Sequence, residues 1–131
     1  MKKTIINTDN APAPIGPYHQ AVLAGDTLYV SGQIPLNPET KEIVGQDGDI
    51  MAEATQVMTN LQAVLKEAGM GFENVVKCTI FMTDINDFAT INGVYGSFFK
   101  DCTPPARETM EVKKLPKNVN VEISCIAVKL N

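Results

Sequence analysis

Ile50, Ala54, Val57, Met58, Leu61, Val64, Leu65 and Ala68 recur at three- and four-residue steps, so a helix over this stretch carries one continuous apolar stripe. A stripe of that length must be buried against something, and this requirement constrains the fold more than any other part of the chain. Asp49 can accept from the free amides at the start of the helix, and Gly69 can take the left-handed conformation that ends it. Val75 to Met82, which follows, is rich in β-branched and apolar residues and reads as a strand buried on at least one face. The stripe is therefore expected to lie on a sheet.

The other segments fit that layout. Pro12, Pro14, Gly16 and Pro17 make the approach to Tyr18 extended and turn-rich. Tyr18 to Leu23 and Thr27 to Ser31 read as two strands around Gly25-Asp26, and Pro35 to Gly48 as a long polar loop. A second helix is expected from about Phe88 to Phe99, with Phe88, Ile91, Tyr95, Phe98 and Phe99 on one side. Gly93 and Gly96 weaken it by roughly 0.5–1 kcal/mol each relative to alanine, so packing must hold it.

Thr109 to Lys114 and Val119 to Leu130 flank Leu115-Pro116-Lys117-Asn118 and predict a closing hairpin. In its second strand Val119, Val121, Ile123, Cys125 and Ala127 share one face. The opposite face begins polar (Asn120, Glu122, Ser124) and ends apolar (Ile126, Val128), which points to contact with another subunit. The expected class is α+β: a mixed, mostly antiparallel sheet with two helices packed on one face. At 131 residues without repeats, one domain spanning 1–131 is expected.

Several functions are disfavoured. Eleven basic against fifteen acidic side chains give a net charge of −4, a poor footprint for phosphate backbones, so no nucleic-acid partner is expected. No stretch approaches the roughly 20 apolar residues that span a bilayer, so no membrane partner is expected either. Met1-Lys2-Lys3 is followed only by Thr4-Ile5-Ile6-Asn7, short of a secretory signal. The three cysteines, Cys78, Cys102 and Cys125, are odd in number and more than 20 positions apart, which disfavours a disulfide framework and favours a reduced, cytoplasmic chain. One histidine and three scattered cysteines give no metal-ligand spacing, and no phosphate loop or G-x-S-x-G elbow is present. His19 reads as a partly exposed strand residue, and the cysteines as buried structure.

What remains is Pro104-Pro105-Ala106-Arg107, followed by Glu122. The proline pair stiffens the backbone before Arg107, whose planar fork matches a carboxylate with two parallel hydrogen bonds. If Lys114 pairs with Val119, Arg107 falls opposite Ile126 and Glu122 opposite Glu111. The two would then share a face, about 13 Å apart at ~3.3 Å per residue, within the combined reach of an arginine, a small acid and a glutamate. A slip of one residue would spoil that alignment. An arginine bonded to nearby carbonyls beside a solvated glutamate is the alternative.

Ile15-Gly16-Pro17-Tyr18, Val30-Ser31-Gly32-Gln33-Ile34-Pro35, Asn60-Leu61-Gln62-Ala63-Val64-Leu65, Pro105-Ala106-Arg107 and Val121-Glu122-Ile123 occur in the order and spacing of the RidA/YjgF family, which the whole chain resembles. The resemblance implies a fold like that of the chorismate mutase of bacilli, assembled as a homotrimer with sites between subunits. It also implies cofactor-free hydrolysis of 2-imino acids and their enamines to 2-keto acids and ammonia. Arg107 would hold the substrate carboxylate and Glu122 would activate water. Tyr18, Ser31, Gly32 and Asn92 match residues around the family's pocket. Thr109 stands where many members place a cysteine, and a backbone amide or carbonyl at that position could still meet the substrate; Ser124 stands where many carry a second glutamate. A trimer that binds metabolites without catalysis and an RNA-cleaving translation inhibitor remain the alternative readings.

Overall fold

The computed structural model describes residues 2–130; the first and last residues of the expected 1–131 domain lie outside them. In chain order the elements are β1 (Lys3–Ile6), β2 (Ala21–Ala24), β3 (Thr27–Gln33), α1 (Ile50–Glu67), β4 (Val75–Met82), α2 (Phe88–Ser97), β5 (Ala106–Glu111) and β6 (Val121–Val128). The strands form one sheet in the order β1-β2-β3-β6-β4-β5. Both helices contribute to one core that covers a single face of this sheet.

The expected stripe of α1 is the heart of that core: Ala54, Val57, Met58, Leu61, Val64 and Leu65 are all buried. The Asp49 carboxylate accepts from the Ala52 amide at 3.0 Å, and Gly69 follows the helix at φ +74°. From α2, Ile91 and Tyr95 join the core, with Phe99 just beyond its end. The aromatic rings of Phe72, Phe98 and Phe99 meet edge-on at centroid distances of 5.1–5.6 Å and lock that end of the helix despite its two glycines. No described helix is long and apolar enough to cross a membrane.

β6 alternates as expected. Val121, Ile123, Cys125 and Ala127 are buried, while Glu122, Ser124, Ile126 and Val128 lie on the face the helices leave open. Across that face Ile5, Val22, Tyr29 and Ile126 follow one another in register from β1 to β6, forming a mostly apolar row. Tyr29 is 51% exposed and Ile5 39%.

The predicted hairpin is not formed. β5 pairs in parallel with β4 and lies at the sheet edge, whereas β6 inserts between β3 and β4 and is antiparallel to both. β4, α2 and β5 thus make a β-α-β crossover, since a parallel neighbour needs a long connection. The tetrapeptide read as a tight turn instead carries the chain past the end of β4. Lys117 and Asn118 both take left-handed conformations (φ 57° and 56°) within the 3₁₀ turn Pro116–Asn118. Other differences are smaller. β2 begins at Ala21 rather than Tyr18, β5 covers Ala106–Glu111 rather than Thr109 to Lys114, and Lys3–Ile6, where no strand is expected, forms an edge strand.

Buried amide side chains replace missing backbone partners in the loops. Asn60, fully buried on α1, donates through Nδ2 to the carbonyls of Ile34 and Leu36 at 3.0 and 2.9 Å, holding the start of the long loop against the helix. Asn60→Ala would leave two carbonyls without their donor, at a cost of about 1–3 kcal/mol for each that stays dry. A loss of about 2–4 kcal/mol in denaturant unfolding is expected; a loss below about 1 kcal/mol would show that water replaces the amide.

Candidate active site

The predicted site residues fall into two groups on opposite sides of the sheet. Arg107 pairs with Cys78 of β4, whose side chain is buried on the helix side. Paired residues share a face, so the guanidinium projects toward α2. There Nη1 donates to Asn92 Oδ1 at 2.7 Å, and Cζ stands 5.0 Å from the Tyr95 ring centroid and 5.7 Å from that of Phe88. Phe88, Asn92 and Tyr95 follow at four- and three-residue steps, which puts all three on one side of the helix.

Among the described residues no carboxylate lies within 4.0 Å of the guanidinium, and the acids on its own strand are occupied elsewhere. Glu108 points to the open face, where it accepts from Thr79 Oγ1 and pairs with Lys77 at 2.9 Å; Thr79 and Lys77 together hold its carboxyl below the usual range. Glu111 accepts from the Ile85 amide at 2.8 Å. Thr109, two residues on and therefore on the Arg107 side, keeps its hydroxyl oxygen buried with no hydrogen-bond partner. The Tyr95 hydroxyl, equally buried, faces the Cys78 thiol without a well-formed hydrogen bond. Burial pushes that thiol up to about 11, against the opposing effects of Tyr95 and Arg107, so Cys78 is a protonated packing residue.

Glu122 pairs with Phe81, between the buried Ile80 and Met82, and so projects from the open face. It lies beside Gly32: a Cβ built on that glycine would stand 2.5 Å from Glu122 Oε2 and 2.8 Å from Cδ. The glycine is not in the left-handed region; here it supplies room. Ser31-Gly32 sits in the register shift between Val30 and Gln33, a bulge that re-aims β3 next to the carboxylate. Ser31 Oγ donates to the His19 carbonyl at 2.6 Å. Burial raises the pKa of Glu122 above the ordinary glutamate range.

Tyr18, 46% exposed, shares with Gly32 a shallow depression also lined by Gln20 and Gln33. Its hydroxyl accepts from the Ile15 amide at 3.4 Å. The segment leading to it is pinned by Gln20, which is 2% exposed. Gln20 Nε2 donates to the carbonyls of Thr8, Ala11 and Pro12, and Oε1 accepts from the Thr8 amide at 2.7 Å.

Arg107, Asn92 and Thr109 thus form one group, and Tyr18, Ser31, Gly32 and Glu122 the other. The expectation that Arg107 and Glu122 share a face is overturned. They are offset by three positions along β4, about 10 Å, and by two strand spacings, and they project from opposite sides. The reason is parity: Arg107 aligns through Cys78 with Cys125, not with Ile126, and one residue's difference exchanges the faces. The aromatic bed under Arg107 has a trace in the Phe88–Asn92–Tyr95 spacing, but the same aromatic residues equally suit the packed side of a helix. Gln20 gave no signal, because a single polar residue at the edge of a strand looks solvated.

The chain is a two-layer α+β protein whose edge strand carries an arginine with no carboxylate in ion-pair distance among the described residues. The family model described as Endoribonuclease L-PSP matches residues 8–129. A RutC family protein of Synechocystis is 54% identical over 128 residues, covering 98% of each chain. The 2-iminobutanoate/2-iminopropanoate deaminase of Escherichia coli K12 is 47% identical over 131 residues, covering 98% of this chain and 99% of that one. The crystal structure of E. coli TdcF with bound serine superposes with a TM-score of 0.92 at 43% identity, covering 97% of this chain and 99% of that one. The chain belongs to the RidA/YjgF family.

Gly32→Ala is expected to leave the fold intact and displace the Glu122 carboxylate toward water. A carboxyl titration followed by NMR should then show the Glu122 pKa falling back toward the ordinary range. An unchanged Glu122 titration would mean that the side chain does not depend on the space at Gly32.

Proposed function

We propose that the chain, as one domain spanning 1–131, hydrolyses 2-imino acids and their enamines to 2-keto acids and ammonia. The observation that carries this reading is the Arg107 guanidinium, oriented by Asn92 and two aromatic rings, with no carboxylate in ion-pair distance among the described residues. A fork held in this way suits the two oxygens of a 2-imino carboxylate. Two relatives support the substrate class: one bears the name of an iminobutanoate deaminase, and another was crystallised with serine.

In this reading Arg107 fixes the carboxylate, and the unpartnered Thr109 hydroxyl supplies a further donor beside it. Fixing the carboxylate places C2 of the protonated imine, which lowers the barrier without a covalent step. Water attacks C2 and its proton passes to Glu122, giving a tetrahedral carbinolamine. Return of that proton to nitrogen makes it a leaving group. Ammonia departs as the hydroxyl gives its own proton to the freed Glu122 carboxylate and the C2 carbonyl forms; Glu122 then passes that proton to the departing ammonia or to water. A carboxylate whose pKa is raised by burial is a stronger base than an exposed one, which suits this role. Tyr18, Ser31 and Gly32 wall the Glu122 side.

Because the two groups lie on opposite faces of one chain, a small acid that meets both must lie between two copies. The half-apolar open face is the surface a second copy would cover, and a closed homotrimer of the chorismate-mutase type satisfies this at every edge. The name of the family model raises RNA cleavage as another reading, and a net charge of −4 counts against it.

The test generates 2-aminoacrylate or 2-aminocrotonate with a dehydratase and compares initial rates of keto-acid release with and without the protein. Arg107→Ala should lower kcat/KM by about 100-fold or more, as expected for losing charge-assisted hydrogen bonds to a carboxylate. Arg107→Lys should lose most of the activity, because a point charge cannot replace the fork. An unchanged rate with Arg107→Ala would end this assignment.

The acid limb of the kcat/KM profile reports the base. The working form of Glu122 is deprotonated, so activity should fall as pH drops through a pKa above the usual ~4.3, and Glu122→Gln should abolish that limb. Mixing tests the shared site. Arg107→Ala and Glu122→Gln, each slow alone, should regain roughly one quarter of wild-type activity when co-refolded at equal amounts, since one site in four then draws both intact groups from different subunits. No regain would place both groups in one subunit's site.

A further inference from the structure

Glu53 is the only charged side chain among the buried polar residues described, at 1% exposed, and among the described residues no lysine or arginine lies within ion-pair distance of it. It stands in the first turn of α1, where the helix dipole favours an anion. Both oxygens are committed to one residue. Oε1 accepts from the Asn120 backbone amide at 2.9 Å, and Oε2 from Asn120 Nδ2 at 2.6 Å. Asn120 is held from its other side by Thr83, whose backbone amide donates to the Asn120 carbonyl at 3.1 Å and whose Oγ1 donates to Asn120 Oδ1 at 3.1 Å. Gly45, at φ +78°, leaves the space this carboxylate needs: a Cβ there would stand 2.8 Å from Glu53 Cγ and 2.6 Å from the Asp49 carbonyl oxygen.

This clamp closes the junction where the crossing segment after β5 becomes β6, two residues before Glu122. Val119 and Val121, on either side of Asn120, bring apolar side chains to the core, a contact that is non-directional and tolerates sliding, and the β4 ladder begins only at Val121, opposite Met82. The fork of a carboxylate on two donors of one residue is directional and fixes both the height and the rotation of the strand. Burying a charge for packing alone is unfavourable, since an apolar side chain of similar size would do at least as well. What an apolar residue cannot supply is that registration.

We propose that Glu53 is a positioning residue that, through Asn120 and Thr83, sets the register of β6 and hence the placement of the Glu122 carboxylate. This inference rests on the hydrolase reading, in which Glu122 is the base.

The test measures kcat, KM and unfolding midpoint for Glu122→Gln, Glu53→Gln, Thr83→Val and the double variant Glu53→Gln/Asn120→Asp, with dehydratase-generated 2-aminoacrylate as substrate. Glu53→Gln turns one acceptor into a donor that faces the Asn120 amide. It should lower kcat about tenfold while KM stays within about twofold, because displacing the base by a fraction of an ångström costs rate and leaves the carboxylate clamp alone. In the double variant the introduced amide donates to the introduced carboxylate, Thr83 Oγ1 still finds its acceptor, and the backbone amide at 120 still meets an oxygen. At least half of the lost kcat should return. Thr83→Val, which removes only the outer link, should lower kcat about threefold and reads the clamp even if Glu53→Gln fails to fold. A slow Glu122→Gln enzyme beside Glu53→Gln and Thr83→Val enzymes of full kcat would overturn the positioning role alone. Recovery of the unfolding midpoint without kcat in the double variant would do the same. A Glu122→Gln enzyme of unchanged kcat would overturn the hydrolase reading and this inference with it.

Discussion

Two helices can cover only one face of a six-stranded sheet, and the placement of every polar group of interest follows from that. On the covered side the interior is closed by Leu28, Met58, Leu61, Ile80, Met82 and Ile123, all with essentially no exposure. On the other side Ile126 and Val128 remain half-buried at best, beside the exposed Tyr29. β6 is inserted between β3 and β4, so its alternation assigns residues to the two faces at the centre of the sheet, where a change of parity has the largest effect. Glu122 reaches the open face for the same reason that Ile123 reaches the core.

Much of this layout is legible in the sequence. The α1 stripe, its caps, the strand that follows and the two-faced pattern of β6 are local periodicities, and periodicity survives whatever the strands pair with. Pairing itself is not local. Leu115-Pro116-Lys117-Asn118 has the composition of a tight turn, and the same residues serve equally to step over the end of β4. Nothing within the segment distinguishes a hairpin from a skip of one strand. The placement of Arg107 depended on that choice, so the residue was recognisable by its Pro-Pro-Ala-Arg context while its side of the sheet was not.

The buried polar side chains were the least legible part. Gln20, Glu53 and Asn60 lie at positions where helix or strand patterns ordinarily show solvated residues, and each instead fastens a loop to the core. Their hydrogen-bond partners are mostly main-chain atoms of distant segments, which carry no side-chain signature. Asn60 ties down the loop after β3, Gln20 the segment before Tyr18, and Glu53 the segment before Glu122. The loops that border the candidate site are thus held by side-chain hydrogen bonds, while the sheet beneath is held by its own ladders and by burial of one face.

The separation of Arg107 from Glu122 has a consequence for how a chemically useful pair can be kept available. A guanidinium and a carboxylate adjacent in one chain would find each other during folding and form a bidentate pair, leaving neither free for substrate. Placing them on opposite faces prevents that pairing in the isolated chain. The cation rests on aromatic rings and an amide oxygen, which orient it without cancelling its charge. The carboxylate, half-buried beside Gly32, keeps a raised proton affinity that an adjacent cation would lower. In the proposed assembly the two approach only across a boundary between copies, with a substrate carboxylate interposed to satisfy the arginine. The pair is then completed by the molecule on which it acts.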